Sequence, residues 1–342
     1  MRVLVTGSEG YLGVIVSDVL AAAGHEVVGL DSGLFVGCDL GPLPERPSVT
    51  HRVDLRDVSA QHVAGIDAVA HLAALSNDPL GNLAPEITYD INQHASMRLA
   101  TLARDAGVKR FLYSSTCSVY GAAEGDLLLD EDAPLAPVTP YAVSKVRVEE
   151  GLDALQTQAF TPVYLRNATA YGYSPRQRLD IVLNNLVASA LLTGSVRVLS
   201  DGTPWRPLAH ARDIAAAFLA LLEAPAEVVS GRAYNIGRDA DNYRVSEIAE
   251  TVADVVPDCV VDITGEQGAD PRSYRVDFSR IAREVPTFTP QWTLRSGTQE
   301  LAERFTAFGL ERGGLNLTYI RLKWLDQLLD SGKLTADLRF RD

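Results

Sequence analysis

Short β-branched runs and longer amphipathic stretches alternate through the first half of the chain. The runs at Arg2–Thr6, Glu26–Leu30, Val49–Val53, Ala68–Leu72, Arg110–Ser114 and Val163–Leu165 predict strands. Helical apolar spacing at about 11–23, 85–106 and 140–158 predicts helices between them. In the first run Val3, Leu4 and Val5 are all apolar, as a strand needs when both faces of its sheet are covered. Alternation of this kind produces parallel strands joined by right-handed helical crossovers. The expected fold is therefore α/β, with a doubly wound parallel sheet.

Beyond Arg166 the pattern loosens. Two turn-rich segments, Tyr171–Pro175 and Asp201–Pro207, flank one helix at about 179–193. A helix at about 212–223 and a strand at Arg232–Ile236 return to the sheet, and the remainder mixes helices with short strands. The chain thus divides into a sheet-forming part, 1–170 and 208–237, and a smaller mixed α/β part, 171–207 and 238–342. Within the latter, Tyr319–Leu325 is basic and apolar and reads as a lid, a dimer contact or an ordinary packed helix.

Composition narrows the partners. At 342 residues and 46% hydrophobic, the chain is long enough to bury a core in each part. Its 44 acidic and 31 basic side chains leave a formal charge of −13, which argues against wrapping nucleic acid or lying on an anionic membrane. Any anionic ligand must then be held by local features. Cys38, Cys117 and Cys259 form no CxxC pair and the six histidines form no HExxH, so neither a disulfide framework nor a metal site is expected. The expected setting is a reducing cytoplasm. The longest apolar run, Ile214–Leu222, is about half a bilayer span, and the N-terminal run is too short for a signal peptide.

Gly7-Ser8-Glu9-Gly10-Tyr11-Leu12-Gly13 stands directly after the first strand, at the start of the first helix. Glycines there permit a tight turn and a close backbone approach to a pyrophosphate, and the helix N-terminus offers free N–H groups to the anion. Asp31 ends the second strand, where a carboxylate accepts both ribose hydroxyls of an adenosine and repels a 2′-phosphate; this favours NAD over NADP. The alternative for Asp31 is a turn with Ser32-Gly33. Asp54, followed by Leu55, either meets the adenine edge or caps the next segment.

In Tyr141-Ala142-Val143-Ser144-Lys145, residues four apart share a helix face, so the Lys145 ammonium favours the ionised form of the Tyr141 phenol. That makes a proton acceptor of a group whose ordinary pKa is about 10. Upstream, Ser114-Ser115-Thr116-Cys117-Ser118 places hydroxyls at the carboxyl end of a strand, where open α/β sheets bind ligands; the same residues also suit turns and caps.

These residues resemble the extended short-chain dehydrogenase/reductases, in particular the NAD-dependent sugar-nucleotide epimerases and dehydratases. The resemblance runs through the glycine turn, Asp31, His71-Leu72-Ala73-Ala74, Asn92, the Ser/Thr turn, Tyr141 with Lys145, Asp201-Gly202, Arg206, His210, Asp213 and Tyr234–Gly237, over at least residues 1–280. It implies a Rossmann-type NAD-binding domain and a smaller domain for the sugar nucleotide. It implies catalysis by Thr116, Tyr141 and Lys145, with Tyr141 as base. It implies cofactor contacts from the glycine turn, Asp31, Asp54, Leu55, Leu72, Ala73, Ala74, Asn92, Tyr141 and Lys145. Substrate contacts are implied for Ser76, Thr116, Cys117, Ser118, Asn167, Thr169, Arg206 and Arg272, and a homodimer is implied through the helices near 85–106 and 140–158.

Departures from the family pattern bear on the reaction. Family 4,6-dehydratases carry an Asp-Glu pair after the threonine, whereas this chain has Cys117 and Ser118, neither able to act as a carboxylate. In the segment Arg-x-x-Asn-x-x-Gly, Thr169 takes the asparagine's place and Asn167 stands two residues earlier. What remains is reversible oxidation and reduction at one carbon, with C4 epimerisation the expected outcome. The rivals are a 4-ketoreductase or related deoxysugar-pathway enzyme and a non-catalytic dinucleotide-binding protein.

Overall fold

The structure is a computed structural model and describes residues 1–44, 47, 49–76, 85–121, 127–266 and 273–341. Seven parallel strands form the main sheet: β1 (Arg2–Thr6), β2 (Glu26–Asp31), β3 (Val49–Arg52), β4 (Ala68–His71), β5 (Arg110–Thr116), β7 (Thr161–Asn167) and β11 (Arg232–Ile236), with β6 (Leu128–Leu129) outside it. Their order is β11-β7-β5-β4-β1-β2-β3. The chain winds outward from β1 in one direction and then, from β4, in the other. A crevice therefore opens at the carboxyl ends of β1 and β4, the place where such sheets bind ligands.

The run of apolar residues in β1 has the cause expected of it. Val3 and Val5 pack with Ile15, Leu20, Ile214, Phe218 and Leu221 on one face. Leu4 packs with Val69, Phe111, Leu99, Val148 and Leu152 on the other. Each fully buried side chain of this size contributes about 1.5–3 kcal/mol, an upper estimate given a compact unfolded chain.

Outside the main sheet the chain forms smaller sheets. β8 (Thr169–Tyr171) pairs in parallel with β10 (Trp205–His210), which pairs antiparallel with β12 (Asn242–Arg244). β9 (Ser195–Val198) pairs with β13 (Val260–Ile263), and β6 with β14 (Arg275–Val276). The segment Asp201–Pro207, turn-rich in sequence, thus runs into a strand at Trp205. The helix expected over 85–106 is interrupted: Pro85–Tyr89 and Ala95–Asp105 are α-helical, and Asp90–His94 between them is a π turn.

The last helix, Arg321–Asp330, is neither detached nor confined to the second part. Leu325, Leu328, Leu334 and Leu338 pack with Leu34, Leu75 and Ile91 of the sheet-forming part. Trp324 Nε1 donates to the Leu34 carbonyl at 2.8 Å. Among the described residues, no helix is long and apolar enough to cross a membrane, and no group of three or more His, Cys, Asp or Glu is placed to hold a metal ion.

Candidate active site

A cavity of about 750 Å³ follows the crevice from Asp31 across the glycine turn to Tyr141 and Arg206. Its floor depends on backbone approaching backbone. Gly7 has φ +71°, and a Cβ there would stand 2.9 Å from the Ala73 nitrogen. A Cβ on Gly13 would collide with the Gly7 carbonyl. Gly10 caps the Tyr11–Ala22 helix with no side chain of its own, leaving the N–H groups of the first turn facing the cavity. Thr6 Oγ1 accepts from the Ala73 N–H at 3.2 Å and bonds His71 Nδ1 at 2.6 Å, which holds the Leu72–Ala74 wall against β1. His71 is buried, and burial pushes its pKa down to about 3, the Lys145 charge adding to the effect. It is a neutral strut.

Asp31 lines the cavity and also makes its turn: Oδ1 accepts from Gly33 N at 2.7 Å and Oδ2 from Glu9 N at 3.0 Å. Burial raises its pKa, and those N–H groups oppose the rise. Asp54 and Leu55 line the adenosine end, but the Asp54 carboxylate caps a 3-10 turn and holds Arg56 at 2.7 Å. Burial opposes its ionisation; the Arg56 guanidinium prevails and holds the carboxyl below its usual range.

Pro140 begins the Pro140–Leu155 helix, and Thr139 caps it by accepting from Ala142 N at 3.2 Å. Tyr141 in the first turn and Lys145 one turn on both line the cavity. The Lys145 ammonium donates to the Ser114 carbonyl at 2.7 Å and stands 5.6 Å from the centre of the Tyr141 ring. Burial pushes its pKa down to about 7, against the pull of the Glu149 carboxylate. Glu149, one further turn along, is buried and held by Arg166 Nη2 at 2.7 Å and by the Ser115 hydroxyl. This pairing anchors the Tyr141 helix to β5 and β7. Sequence reading gave Glu149 and Arg166 no role; for Glu149 the available signal was its i+4 continuation of Tyr141 and Lys145, whereas Arg166 stands on β7.

The cavity wall gathers every residue expected to touch the cofactor except Asn92, and every one expected to touch substrate except Cys117 and Arg272. Asn92 stands behind the wall: its Oδ1 accepts from Leu75 N at 2.8 Å and its Nδ2 donates to Leu75 O at 3.0 Å and Ser144 Oγ at 3.3 Å. It ties the Leu75 loop to the Tyr141 helix. Cys117 is withdrawn from the substrate set. Thr116 caps the turn Cys117–Tyr120, which rotates the thiol into the core, where it donates to Arg166 O at 3.1 Å and is pushed well above its ordinary pKa by burial. Arg272 lies outside the described residues. Ser76, Thr116, Ser118, Asn167, Thr169 and Arg206 remain on the wall.

The residues present fit a dinucleotide. The open helix terminus suits its diphosphate, Asp31 its adenosine ribose, and Lys145 a second ribose beside Tyr141. Asn167 Nδ2 donates to Ser114 Oγ at 3.1 Å, while its Oδ1 is buried with no hydrogen-bond partner among the described residues, an acceptor left for a ligand donor. Among the wall residues that escaped the sequence reading are Phe35, and Arg321 from the C-terminal helix.

A doubly wound sheet whose glycine turn, strand-ending carboxylate and Tyr–Lys pair face one cavity defines the extended short-chain dehydrogenase/reductase class. Within it, the chain belongs to the NAD dependent epimerase/dehydratase family, whose model matches residues 3–237. It is 30% identical to the UDP-glucose 4-epimerase of Streptomyces lividans over 308 residues, 84% of this chain and 91% of that one. MoeE5 in complex with UDP-glucose and NAD is similar at 29% identity and a TM-score of 0.77, over 90% of this chain and 99% of that one. TunA, an NAD-dependent NDP-hexosamine 5,6-dehydratase of tunicamycin biosynthesis, is similar at 25% identity and a TM-score of 0.80, over 90% and 98% of the two chains.

Proposed function

We propose that this chain is an NAD-dependent nucleotide-sugar epimerase that inverts C4 through a transient 4-keto sugar. The observation that carries this reading is the acid–base inventory around Thr116. Tyr141 and Lys145 share the cavity with Thr116, while the next residue, Cys117, is turned into the core and the one after, Ser118, is an alcohol. The carboxylates on the wall are engaged elsewhere: Asp31 with two backbone N–H groups, Asp54 with Arg56, and Asp180 with Arg178 at 2.9 Å. Among the described residues, loss of water from C5 and C6 lacks its acid and base, whereas oxidation and reduction at C4 needs only the tyrosine.

Tyr141 takes the proton of the sugar 4-hydroxyl, which Thr116 orients. Lys145, held by Ser114, supports the phenolate. The glycine turn, Asp31 and Lys145 would hold NAD, which would supply hydride acceptance and return at C4, with the keto sugar turned over between the two transfers. Tyr141 then gives its proton back, and no net oxidant is used. Arg206, Asn167 and Thr169 hold the nucleotide sugar in the smaller part of the cavity. The reading extends to a homodimer formed through the outer faces of the Ala95–Asp105 and Pro140–Leu155 helices and to a cytoplasmic setting; light scattering tests the dimer.

The direct test incubates the purified protein, without added cofactor, with a panel of NDP-hexoses and NDP-hexuronates followed by NMR. Catalytic inversion at C4 is expected. Stoichiometric consumption of NADH or NADPH, or loss of a sugar hydroxyl, would replace the reading with a ketoreductase or a dehydratase.

A further inference from the structure

Arg321 begins the Arg321–Asp330 helix, is 3% exposed, and yet lines the cavity. Its guanidinium stacks on the Phe35 ring at 4.5 Å from the centre, and Nη2 donates to the Arg176 carbonyl at 3.3 Å. Nη1 is buried with no hydrogen-bond partner among the described residues, and the Asp180 carboxylate acts on Arg321 through its charge. The neighbouring arginines have carboxylates of their own, Asp39 for Arg176 and Asp180 for Arg178. The Cys38 thiol beside it is pushed up by burial to about 11 and stays neutral. Burial lowers the pKa of Arg321 to about 10, so the group is a cation at neutral pH. A buried cation with an unmet Nη1 is costly unless an anion arrives to meet it.

The location indicates which anion. Phe35 follows Asp31 by four residues on the loop that leaves β2, and Arg321 lies close enough to Tyr11, the first residue of the glycine-turn helix, to act on its phenol. The guanidinium therefore stands at the dinucleotide end of the cavity, and its planar fork suits two phosphate oxygens. We propose that Arg321 is a phosphate ligand for bound NAD, delivered by a C-terminal segment that straps the cofactor half of the cavity.

The strap grips the loops that border that half. Trp324 Nε1 holds the Leu34 carbonyl at 2.8 Å and the Tyr319 hydroxyl holds the Asp39 carbonyl at 2.9 Å. Arg339 pairs with Asp57, three residues past Asp54. Leu325 and Leu328 cover Leu34 and Leu75. Release of the dinucleotide then requires Arg321 to give up the anion that meets Nη1, so the cofactor is retained between turnovers. This inference rests on NAD binding alone and stands or falls independently of C4 epimerisation.

The test uses the full chain stripped of cofactor, as wild type, Arg321→Met and Arg321→Lys, with calorimetric titration of NAD and melting of the stripped proteins. UDP titrated into the NAD-loaded proteins separates the other source of a diphosphate, the sugar nucleotide. Loss of one charge-assisted contact weakens NAD binding by about 10- to 100-fold in Arg321→Met, less in Arg321→Lys, with UDP binding nearly unchanged. The stripped Arg321→Met protein melts no lower than wild type, because a buried charge with an unmet Nη1 has gone. Unchanged NAD affinity, a loss confined to UDP, or a lower melting temperature of both stripped variants overturns the proposal.

Discussion

At the scale of single residues, the chemistry depends on what burial does to each ionisable group. Lys145 keeps its ammonium near Tyr141 only because the Ser114 carbonyl at 2.7 Å and Glu149 compensate its desolvation. Replacing Tyr141 by Phe removes the proton acceptor and leaves the ring packing and the other cofactor contacts in place. The expected result is a fall in kcat of about a hundred- to ten-thousandfold with NAD still bound after gel filtration. His71 carries a pH signature of its own. Its folded pKa of about 3 lies below the unfolded value near 6.5, so between those limits the unfolded chain holds the extra proton. Stability is complete above that window and falls with acid at about 1.4 kcal/mol per pH unit. In His71→Asn the slope over the window is shallower, measured by urea unfolding at several pH values, although the variant is weaker near pH 7 by the bonds to Thr6 or Ser96. The Tyr141 and Lys145 pair was legible because helix spacing alone puts positions four apart on one face. The fate of Cys117 was not, since its direction is set by a 3-10 turn that no apolar period announces.

At the scale of elements, the glycine turn is a contact between strand and helix as much as a ligand site. In Gly13→Ala the new Cβ would stand 2.9 Å from Ser8 Cα and inside the Gly7 carbonyl, both main-chain atoms that cannot step aside. The helix must move off the turn, at a cost of about 1–3 kcal/mol. NAD retention is expected to fall at least about tenfold, against little change for an exposed alanine control, as read by cofactor released on denaturation. The strands of the main sheet were legible because residues such as Val3 to Val5 are apolar on both faces. β8 and β10 were not. Trp205-Arg206-Pro207 begins β10 with polar and proline residues, and its partners Tyr243 and Arg244 lie over thirty residues away. Such strands exist by tertiary pairing and carry no local period.

At the scale of the whole molecule, a chain of net charge −13 holds an anionic ligand by concentrating N–H groups and a few arginines at one crevice. The loss of alternation after Arg166 marks where the chain leaves the main sheet, to which it returns with β11. The return of the C-terminal helix to the first part was hidden, because its apolar residues announce a buried face without saying which surface they cover. That return closes the dinucleotide end of the cavity and suits an enzyme whose cofactor gives back what it takes. The central claim is that one hydride leaves C4 and returns to C4. An NDP-hexose deuterated at C4, incubated with the protein and followed by NMR, measures this directly. The account predicts an inverted product with the deuterium still at C4; deuterium found at C6, washed into solvent, or kept at C4 with the configuration unchanged would contradict it.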